Sequence, residues 1–496
     1  MSPKTRSTRK GKNPSAPAAK RPGKPVRSEV SAWEDDPGAP GAKPNKPITV
    51  PAPALGQSPY PLAISGPAPA ARIHPKGTAD FRYWNAAAAV RRGADLWGGV
   101  VPAGTGWQPG GTLRVTLDHG TDLNAYYDRR GLWFFHATVS GTAVWSGESP
   151  DVLCHELGHA ILDSVRPQLW DAMSAEVAAF HESFGDMSAL LSALQIPSFR
   201  QVVLAETGGT LYHNSRLSRL AEQLGWAIRQ TQPDAVDADC LRNAVNSFFY
   251  RDPLTIRHSG PATELTSEPH SFSRVFTGGF FEALSGMVGT LARPATDAAL
   301  ATASHDAAYI LIDAVRAAPV VPAYYSQVAS LMLAADHDHF GGKYTAALKS
   351  AFVRRGILSL AAAASLRPAA ASAARRSVLT GGKPISPAGL VSIAFDAEQF
   401  ALGKGKLHVL TASAQPLLRV RSSAPASGPA ADSSGEDVAH TFLAYLFRRG
   451  RVDLGAHGDR EIRVEHAHAM KTHELVARNG GLAIVRRTFD CGFDAI

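Results

Sequence analysis

The sequence predicts an α+β protein, in which strands and helices occupy separate parts of the chain. Before about residue 150, apolar residues alternate with polar ones, and from there to about residue 356 the pattern is mostly helical. A run of strands followed by a run of helices is typical of this fold class. Residues 385–496 mix strand-like runs with one apolar helix, which predicts a further, small α/β domain.

The strand prediction depends on the segment between about residues 80 and 150. Leu113, Val115 and Leu117 alternate with polar neighbours, and an apolar run at 132–135 follows a turn-like Arg-Arg-Gly segment. Alternation with a period of two places one set of side chains on the buried face of a sheet. These runs are therefore predicted to be strands of one sheet.

The helical prediction depends on apolar patterns with helical spacing. The clearest examples lie at residues 280–291, 307–317, 324–335 and 344–354. Residues 357–384 are rich in Ala, Ser, Arg and Pro, and this composition predicts a linker between the helical part and the last domain.

Residues 1–75 are predicted to be a disordered tail. They are rich in Pro, Ala, Ser, Gly and Lys, and such a composition buries too little apolar surface to offset the entropy of ordering. Residues 1–27 contain nine Lys or Arg and no Asp or Glu, so the whole formal net charge of +8 comes from the tail and the remaining residues are near neutral. A basic tail could bind nucleic acid, but no aromatic residues interleave with this cluster, so we expect weak binding at most.

The cysteines and the apolar runs bear on the cellular compartment. Cys154, Cys240 and Cys491 are odd in number and far apart, which favours a reducing compartment over a disulfide framework. We expect no membrane span, because no apolar run reaches about 18 residues. The first residues are charged but lack the apolar core of a secretory signal. A cytoplasmic location is the default expectation, with non-classical export as the alternative.

The strongest chemical signal is the His-Glu-Leu-Gly-His run within residues 154–160. Positions i and i+4 lie on one face of a helix, so His155 and His159 can offer two nitrogens to one metal ion. Glu156 can then reach a water held by that ion. Apolar neighbours on both sides favour a buried helix; the alternative is a surface helix that carries two histidines by chance.

A third ligand is predicted on the next helix, over residues 174–194. Glu182 and Asp186 are four residues apart, hence on one face, within an otherwise apolar stretch. Two buried carboxylates require a cation or hydrogen-bond donors. Both are satisfied if Glu182 binds the metal and Asp186 accepts from the N–H of a ligand histidine. Glu176 and His181 are lower-ranked candidates, and an exposed charged face is the structural alternative.

These residues resemble the motifs of the thermolysin-like zinc metallopeptidases. In that family a His-Glu-x-x-His helix is followed by a helix bearing Glu-x-x-x-Asp. Here Glu182 lies 23 residues after His159, and Asp186 follows four residues later. The resemblance covers about residues 80–358. It implies one zinc ion per chain, held by His155, His159 and Glu182, with Asp186 supporting a ligand histidine.

The resemblance also implies a two-lobed core. The zinc helix would form the floor of a cleft between a sheet-bearing amino-terminal lobe, residues 76–165, and a helical lobe, residues 166–356. The disordered tail would precede this core, and the linker and the small domain over residues 385–496 would follow it.

Three further places resemble the family. Asn124 and Ala125, followed by two tyrosines, resemble the edge-strand segment that pairs with the substrate backbone, an interaction in which a peptide adds a strand to a sheet. Arg242, after a leucine, resembles the arginine that binds the substrate carbonyl. His270 falls where the family keeps the histidine that stabilises the oxyanion, where a donor aimed at developing charge is needed.

The chain also departs from the family. The acid that supports the oxyanion histidine is not clearly matched, and Glu264 and Glu268 are both candidates. Trp170 stands where a catalytic tyrosine is usual. The acidic cluster that binds structural calcium is mostly missing after Asp186, so we expect no strong calcium dependence. The secretion signal and pro-segment usual in the family are not evident.

The resulting hypothesis is a zinc-dependent metalloendopeptidase that acts on a protein or peptide substrate. Glu156 would activate a zinc-bound water, and Arg242 and His270 would stabilise the oxyanion. The first alternative is a catalytically inactive relative that serves as a binding or structural scaffold, although a scaffold needs no base at Glu156. The second is a nucleic-acid-binding module that acts through the tail. The sequence indicates neither the role of residues 385–496 nor the oligomeric state of the protein.

Overall fold

The computed structural model describes residues 28–41, 45–380, 390–412, 416–418, 434–457, 470–478 and 480–491, together with Met1 and Ser422. Helices and strands are both abundant in these residues, which agrees with the predicted α+β class. In this part of the chain no helix is both long enough and apolar enough to cross a membrane.

The first part of the described chain is mostly strand, with one long helix. Its elements are β1 (Glu29–Trp33), β2 (Pro47–Pro51), β3 (Leu62–Ile64), α1 (Ala79–Gly98), β4 (Leu113–Thr116), β5 (Ala125–Tyr127), β6 (Gly131–Phe134), β7 (His136–Val139) and β8 (Thr142–Trp145). The side chain of Thr78 caps α1 by accepting a hydrogen bond from the backbone N–H of Phe81 at 3.2 Å.

The prediction of a disordered tail that extends to residue 75 is wrong for residues 28–41 and 45–75. β1 pairs antiparallel with β2 and packs against α1. Trp33 is buried, and its backbone N–H donates to the side chain of Asn85 on α1 at 2.8 Å. These strands are short apolar runs that lie between Pro-rich residues, so the average composition of the segment does not indicate them. Residues 2–27, with the basic cluster, lie outside the described residues.

The middle part of the described chain is mostly helical. Its elements are α2 (Pro150–Val165), α3 (Gln168–Asp171), α4 (Ala175–Ala193), α5 (Pro197–Thr207), β9 (Arg219–Leu220), α6 (Glu222–Arg229), β10 (Arg242–Asn243), α7 (Pro269–Leu291), α8 (Asp297–Ala317), α9 (Tyr324–Phe340), α10 (Thr345–Arg354), α11 (Leu360–Ser365) and α12 (Pro368–Thr380). The helical patterns predicted between residues 280 and 354 coincide with parts of α7, α8, α9 and α10 to within one residue.

The predicted linker over residues 357–384 is helical where the structure describes it. α11 and α12 fill most of it, and α12 packs against α9. Arg375 on α12 forms buried ion pairs with Asp313 on α8 and Asp338 on α9. Alanine has the highest helix propensity, so the Ala-rich composition favours a helix once such contacts hold it. Residues 381–384 lie outside the described residues.

The last part of the described chain forms a mixed sheet with a helix packed on it. Its elements are β11 (Leu390–Asp396), β12 (Lys406–Ala412), α13 (Gly435–Arg448), β13 (Val452–Asp453), β14 (His473–Arg478), β15 (Gly481–Arg486) and β16 (Phe489–Asp490). The strand order is β11-β12-β15-β14-β13, with antiparallel pairs β11-β12 and β14-β15 and parallel pairs β12-β15 and β13-β14. α13 packs against β12.

The other five-stranded sheet joins distant parts of the chain. Its order is β16-β5-β6-β4-β3, with β5 antiparallel to β6 and the pairs β4-β6 and β3-β4 parallel. β16 lies antiparallel to β5, with Asp490 opposite Tyr126 and Phe489 opposite Tyr127. The prediction of a separate domain over residues 385–496 therefore needs correction, because its last described strand belongs to the amino-terminal sheet.

The position of the candidate site depends on the close packing of α2 against α4. Both helices are buried along nearly their whole length. A Cβ at Gly158 on α2 would lie 2.9 Å from the Cα of Gly185 on α4, and a Cβ at Gly185 would lie 2.6 Å from the ring of His155. Larger residues at these positions would push the helices apart. The two glycines thus allow side chains of α2 and α4 to meet.

Candidate functional site

Three side chains predicted as metal ligands meet between α2 and α4. The Nε2 atoms of His155 and His159, one helical turn apart on α2, are separated by 3.2 Å. Glu182 on α4 places Oε2 at 3.3 Å from Nε2 of His155 and Oε1 at 3.7 Å from Nε2 of His159. All three residues are buried. Four nitrogen and oxygen atoms therefore converge on one small volume.

The spacing of these atoms fits a single metal ion. A tetrahedral ion with ligand bonds of about 2.0–2.2 Å separates neighbouring ligand atoms by roughly 3.3–3.6 Å. The separations of 3.2, 3.3 and 3.7 Å lie close to this range. In the part of the chain that the structure describes, His155, Glu156 and His159 also form a group whose potential ligand atoms all lie within 4.8 Å of one another. We favour Glu182 over Glu156 as the carboxylate ligand, because its two oxygens approach both imidazoles.

Hydrogen bonding fixes which nitrogen of His155 faces the cluster. Nδ1 of His155 lies 3.0 Å from Oδ1 of Asp186, so this nitrogen can carry the proton and leave Nε2 as the free lone pair. For His159, burial and the nearby His155 and His181 keep the pKa well below its usual range. The neutral imidazole is the form that binds a metal ion.

Glu156 is fully buried beside the ligands. Neither of its carboxylate oxygens has a hydrogen bond of ordinary geometry to the described residues. Burial raises the pKa of Glu156 to about 8; the charge of His155 opposes this shift, and Glu182 and Asp490 add to it. A buried carboxylate with few donors is costly, and such groups occur more often than average at binding and catalytic sites.

Asp186 connects the ligand histidine to Arg242. Arg242 donates to Oδ1 of Asp186 through Nη2 at 2.8 Å and through Nε at 3.2 Å, and Thr277 on α7 lies 3.4 Å from Oδ2. Burial opposes ionisation, but Arg242 and His155 together hold the pKa of Asp186 well below its usual range. Arg242 thus lies beside the candidate ligands and is paired with Asp186, a partner that the sequence did not predict.

His270 begins α7 and faces the same cluster. Its Nδ1 lies 2.6 Å from Oε1 of Glu268, and its Nε2 lies 3.3 Å from Oε2 of Glu182. Burial lowers the pKa of His270, but the charges of Glu182 and Glu268 outweigh it and raise the pKa to about 10. Of the two candidate acids, Glu268 is the one that supports His270. Glu264 instead pairs with Arg257 at the surface.

The lower-ranked ligand candidates and Trp170 have other partners. Glu176 accepts hydrogen bonds from the backbone N–H of Tyr325 at 2.6 Å and from the hydroxyl of Tyr250 at 2.9 Å, and so links α4 to α9. Nδ1 of His181 faces Nδ1 of His159 at 3.3 Å, behind the ligand cluster. Trp170 donates from Nε1 to the carbonyl of Arg486 at 3.3 Å. These contacts make all three residues part of the support around the site.

The predicted substrate strand is already paired. The backbone N–H of Cys491 donates to the carbonyl of Ala125 at 3.0 Å, directly after β16. Asn124 accepts from the N–H of Ala125 at 2.8 Å, and its amide nitrogen lies 3.8 Å from the sulfur of Met470. Sequence reasoning missed this segment, because neither a motif nor a period in residues 486–491 points to the site.

Residues 486–491 also cover the candidate ligands. The ring of Phe489 stacks against His159 and His181, with centroids 5.0 and 4.0 Å away. The guanidinium of Arg486 lies 4.0 Å from the centre of the Phe489 ring. Cys491 is buried, and burial together with the nearby Glu156 raises the pKa of its thiol.

Comparison with known proteins finds similarity among solved structures. No protein-family model and no curated protein sequence matches this chain. Among solved structures, the chain is similar to the "Precursor of Protealysin, Metalloproteinase from Serratia proteamaculans", at 15% identity and a TM-score of 0.36. The match covers 67% of this chain and 88% of the neighbour. The function proposed below depends on the residues of the site and not on this likeness.

Proposed function

We propose that the chain is a zinc-dependent metalloendopeptidase in which His155, His159 and Glu182 hold one zinc ion. The observation that carries the proposal is the convergence of their ligand atoms at 3.2–3.7 Å beside the buried carboxylate of Glu156. Two imidazoles and one carboxylate form a donor set typical of catalytic zinc, in which one position is left for water or substrate. Calcium has no role in this proposal.

Glu156 is the proposed base. A zinc ion held by the three ligands would supply Lewis acidity, which polarises a peptide carbonyl and lowers the pKa of bound water towards about 7. Glu156 accepts the proton of the attacking water and then passes it to the amine that leaves. Its burial beside His155 and His159 supports this role, because a water bound at that position would lie within reach of its carboxylate.

His270 is the proposed donor to the oxyanion. Its Nε2 lies 2.7 Å from the carbonyl oxygen of Asp490, a contact that supports the binding of a peptide carbonyl at this position. Glu268 stabilises the charged imidazolium from the other side of the ring. A donor already in place when negative charge develops costs no rearrangement in the transition state.

Arg242 is proposed to act by positioning. It holds Asp186 ionised, and Asp186 orients His155 through Nδ1. The substrate-carbonyl contact predicted from the sequence stays a prediction for this residue. Asn124 and Ala125 are proposed to pair with the backbone of a peptide substrate along β5.

The inactive-scaffold alternative is favoured by one observation, the pairing of β16 with β5, which closes the edge strand. Glu156 separates the two functions, because a scaffold has no use for a buried carboxylate beside the ligand atoms. Nucleic-acid binding through the tail stays a prediction for residues 2–27.

The variant Glu156→Gln tests the proposal. Two backgrounds are compared, the parent and Phe489→Ala, a change that loosens β16. Each is prepared with and without Glu156→Gln, and hydrolysis of a fluorogenic peptide library and zinc content are measured for all four proteins. We expect both Glu156→Gln proteins to retain zinc and to lose at least about 10²–10⁴-fold in kcat, the range that general-base catalysis supplies. Glu222→Gln, a change of another buried glutamate, serves as the matched control and should keep activity.

Two results would contradict the proposal. Turnover by Glu156→Gln at the rate of its parent would remove the assigned base. Zinc-loaded proteins that hydrolyse no peptide in either background would establish the inactive scaffold instead.

A further inference from the structure

β16 occupies the edge of β5 in the way that an added peptide strand would. Phe489 and Asp490 pair antiparallel with Tyr127 and Tyr126. The hydroxyl of Thr488 donates to the carbonyl of Tyr127 at 2.9 Å, which extends the contact by one residue. Extended peptides bind to exposed sheet edges through main-chain hydrogen bonds of this kind. The occupant of the proposed substrate strand is therefore a segment of the same chain.

The peptide bond between Asp490 and Cys491 lies between His270 and β5. Its carbonyl oxygen is 2.7 Å from Nε2 of His270, and its N–H donates to the carbonyl of Ala125 at 3.0 Å. The thiol of Cys491 and the carboxylate of Asp490 are both close enough to Glu156 to interact with it electrostatically. Both ends of one peptide unit thus contact residues that the proposed function assigns to a substrate.

Specific side-chain contacts hold this segment in place. The Phe489 ring stacks on His159 and His181, and the buried carboxylate of Asp490 pairs with the buried guanidinium of Arg451 at 3.1 Å. Burying a charge is tolerated when a partner neutralises it, and breaking such a pair is costly. An ion pair and a stacked ring make the placement of the segment well defined.

We propose that residues 488–491 occupy the cleft as a substrate and that the Asp490–Cys491 bond is the first bond the enzyme hydrolyses. This inference rests on the proposed function, and it names the chain's own segment as a substrate. One water is consumed: its oxygen joins the carbonyl carbon of Asp490, and the C–N bond to Cys491 breaks. Glu156 passes the proton to the nitrogen of Cys491. Release of the product that begins with Cys491 would free the carbonyl of Ala125 for another peptide.

The first test follows the bond itself in the zinc-loaded full chain. Peptide mapping by mass spectrometry should reveal a new carboxyl terminus at Asp490 that accumulates in the parent and is absent from Glu156→Gln. Because the segment is held within its own cleft, the half-time should not change on about tenfold dilution. A parent that hydrolyses added peptides while its Asp490–Cys491 bond stays intact would overturn the inference and leave the proposed function standing. A half-time that lengthens in proportion to the dilution would exclude cleavage within one chain.

The second test reads occupancy without activity, in zinc-loaded Glu156→Gln protein that cannot cleave itself. Alkylation of Cys491 by iodoacetamide should be slow, as for the buried Cys154 and Cys240. Phe489→Ala and, independently, Asp490→Lys should speed modification of Cys491 by about tenfold or more, because each removes one anchor of the segment. Phe400→Ala, at another buried aromatic, is the matched control and should leave Cys491 protected.

The two tests separate the possible failures. Cys491 that reacts as fast as a free thiol in the Glu156→Gln protein would show that the segment does not fill the cleft, and the inference would fall. Absence of hydrolysis of any peptide by the parent and by Phe489→Ala would overturn the proposed function, and this inference with it.

Discussion

Two groups of buried carboxylates lie near α2, and they differ in what surrounds their oxygens. The ligand cluster consists of His155, Glu156, His159 and Glu182. The acidic cluster consists of Asp36, Asp151 and Glu222. In the acidic cluster, Asp36 accepts hydrogen bonds from the N–H of Gly38 at 2.8 Å, the N–H of Gln223 at 2.9 Å and the hydroxyl of Ser149 at 2.5 Å. Asp151 accepts from the N–H of Ala221 at 3.0 Å, and Glu222 pairs with Arg219.

The ligand cluster has no comparable set of donors. Both oxygens of Glu156 and Oε2 of Glu182 lack a hydrogen bond of ordinary geometry within the described residues, and two imidazole nitrogens face the same space. Burial raises pKa values in both clusters, so a raised pKa alone does not separate a site from a structural anchor. What separates them is whether the protein itself satisfies the carboxylates.

Removing the donor that faces the ligand cluster gives the largest effect that we predict here. His270→Ala should lower kcat by about 10²–10³-fold with a smaller change in KM, because the contact strengthens as the oxyanion forms. Zinc content should stay at the parent value, since His270 is not a ligand, and the melting temperature should fall because Glu268 loses its buried partner. Glu264→Ala is the control. A folded, zinc-replete His270→Ala protein with unimpaired turnover would end the assignment.

Asp186 shares one feature with each cluster. Its carboxylate accepts hydrogen bonds from protein donors, as in the acidic cluster, and it contacts His155, which belongs to the ligand cluster. Asp186→Ala should weaken zinc binding by about 10- to 100-fold, the usual effect of losing a partner that orients a ligand histidine. Competition with a chelating dye measures this affinity. Arg242→Ala should weaken zinc in the same direction and by less, since Asp186 keeps Thr277 as a neighbour. Unchanged zinc affinity in Asp186→Ala would show that Asp186 does not support the zinc site.

The acidic cluster should respond in stability and not in activity. Burial raises the pKa of Asp151 to about 8, above the value of about 3.9 that an aspartate has in an unfolded chain. The folded state therefore binds the proton more tightly, and its stability falls as the pH rises from about 4 to about 8. Asp151→Asn removes this pH-dependent loss of stability and keeps an acceptor for the N–H of Ala221.

Thermal unfolding at several pH values checks this prediction. Asp151→Asn should raise the melting temperature at pH 8 by about 2–4 °C or more, the change that about 1 kcal/mol produces in a large domain, and by much less near pH 4. Replacing the exposed Asp396 by Asn is the control. A gain that is equal at both pH values would contradict the assigned shift.

The ligand cluster could be predicted from sequence because helical periodicity is local. The spacing of His155 and His159, and of Glu182 and Asp186, decides which side chains share a face before any tertiary contact forms. The contact of α2 with α4 needs only two neighbouring helices. Residues 28–75 were harder to predict, since their strands depend on packing against α1.

The pairing of β16 with β5 could not be predicted in this way. More than 350 residues separate Tyr127 from Phe489, and a two-residue strand has no period that would indicate its partner. For the same reason the sequence named Arg242 but not its ion pair with Asp186, which only the tertiary structure creates. Local pattern thus identifies the candidate ligands, while the strand that pairs with β5 depends on long-range contacts.

The most direct test of the proposed zinc site is the metal content of two matched variants, one from each cluster. Glu182→Gln and Glu222→Gln each remove one buried carboxylate charge while keeping the size of the side chain. Elemental analysis of proteins purified without chelators should find about one zinc per chain in the parent and in Glu222→Gln, and far less in Glu182→Gln. The absence of zinc from the parent, or equal zinc in the two variants, would contradict the assignment of the ligand cluster.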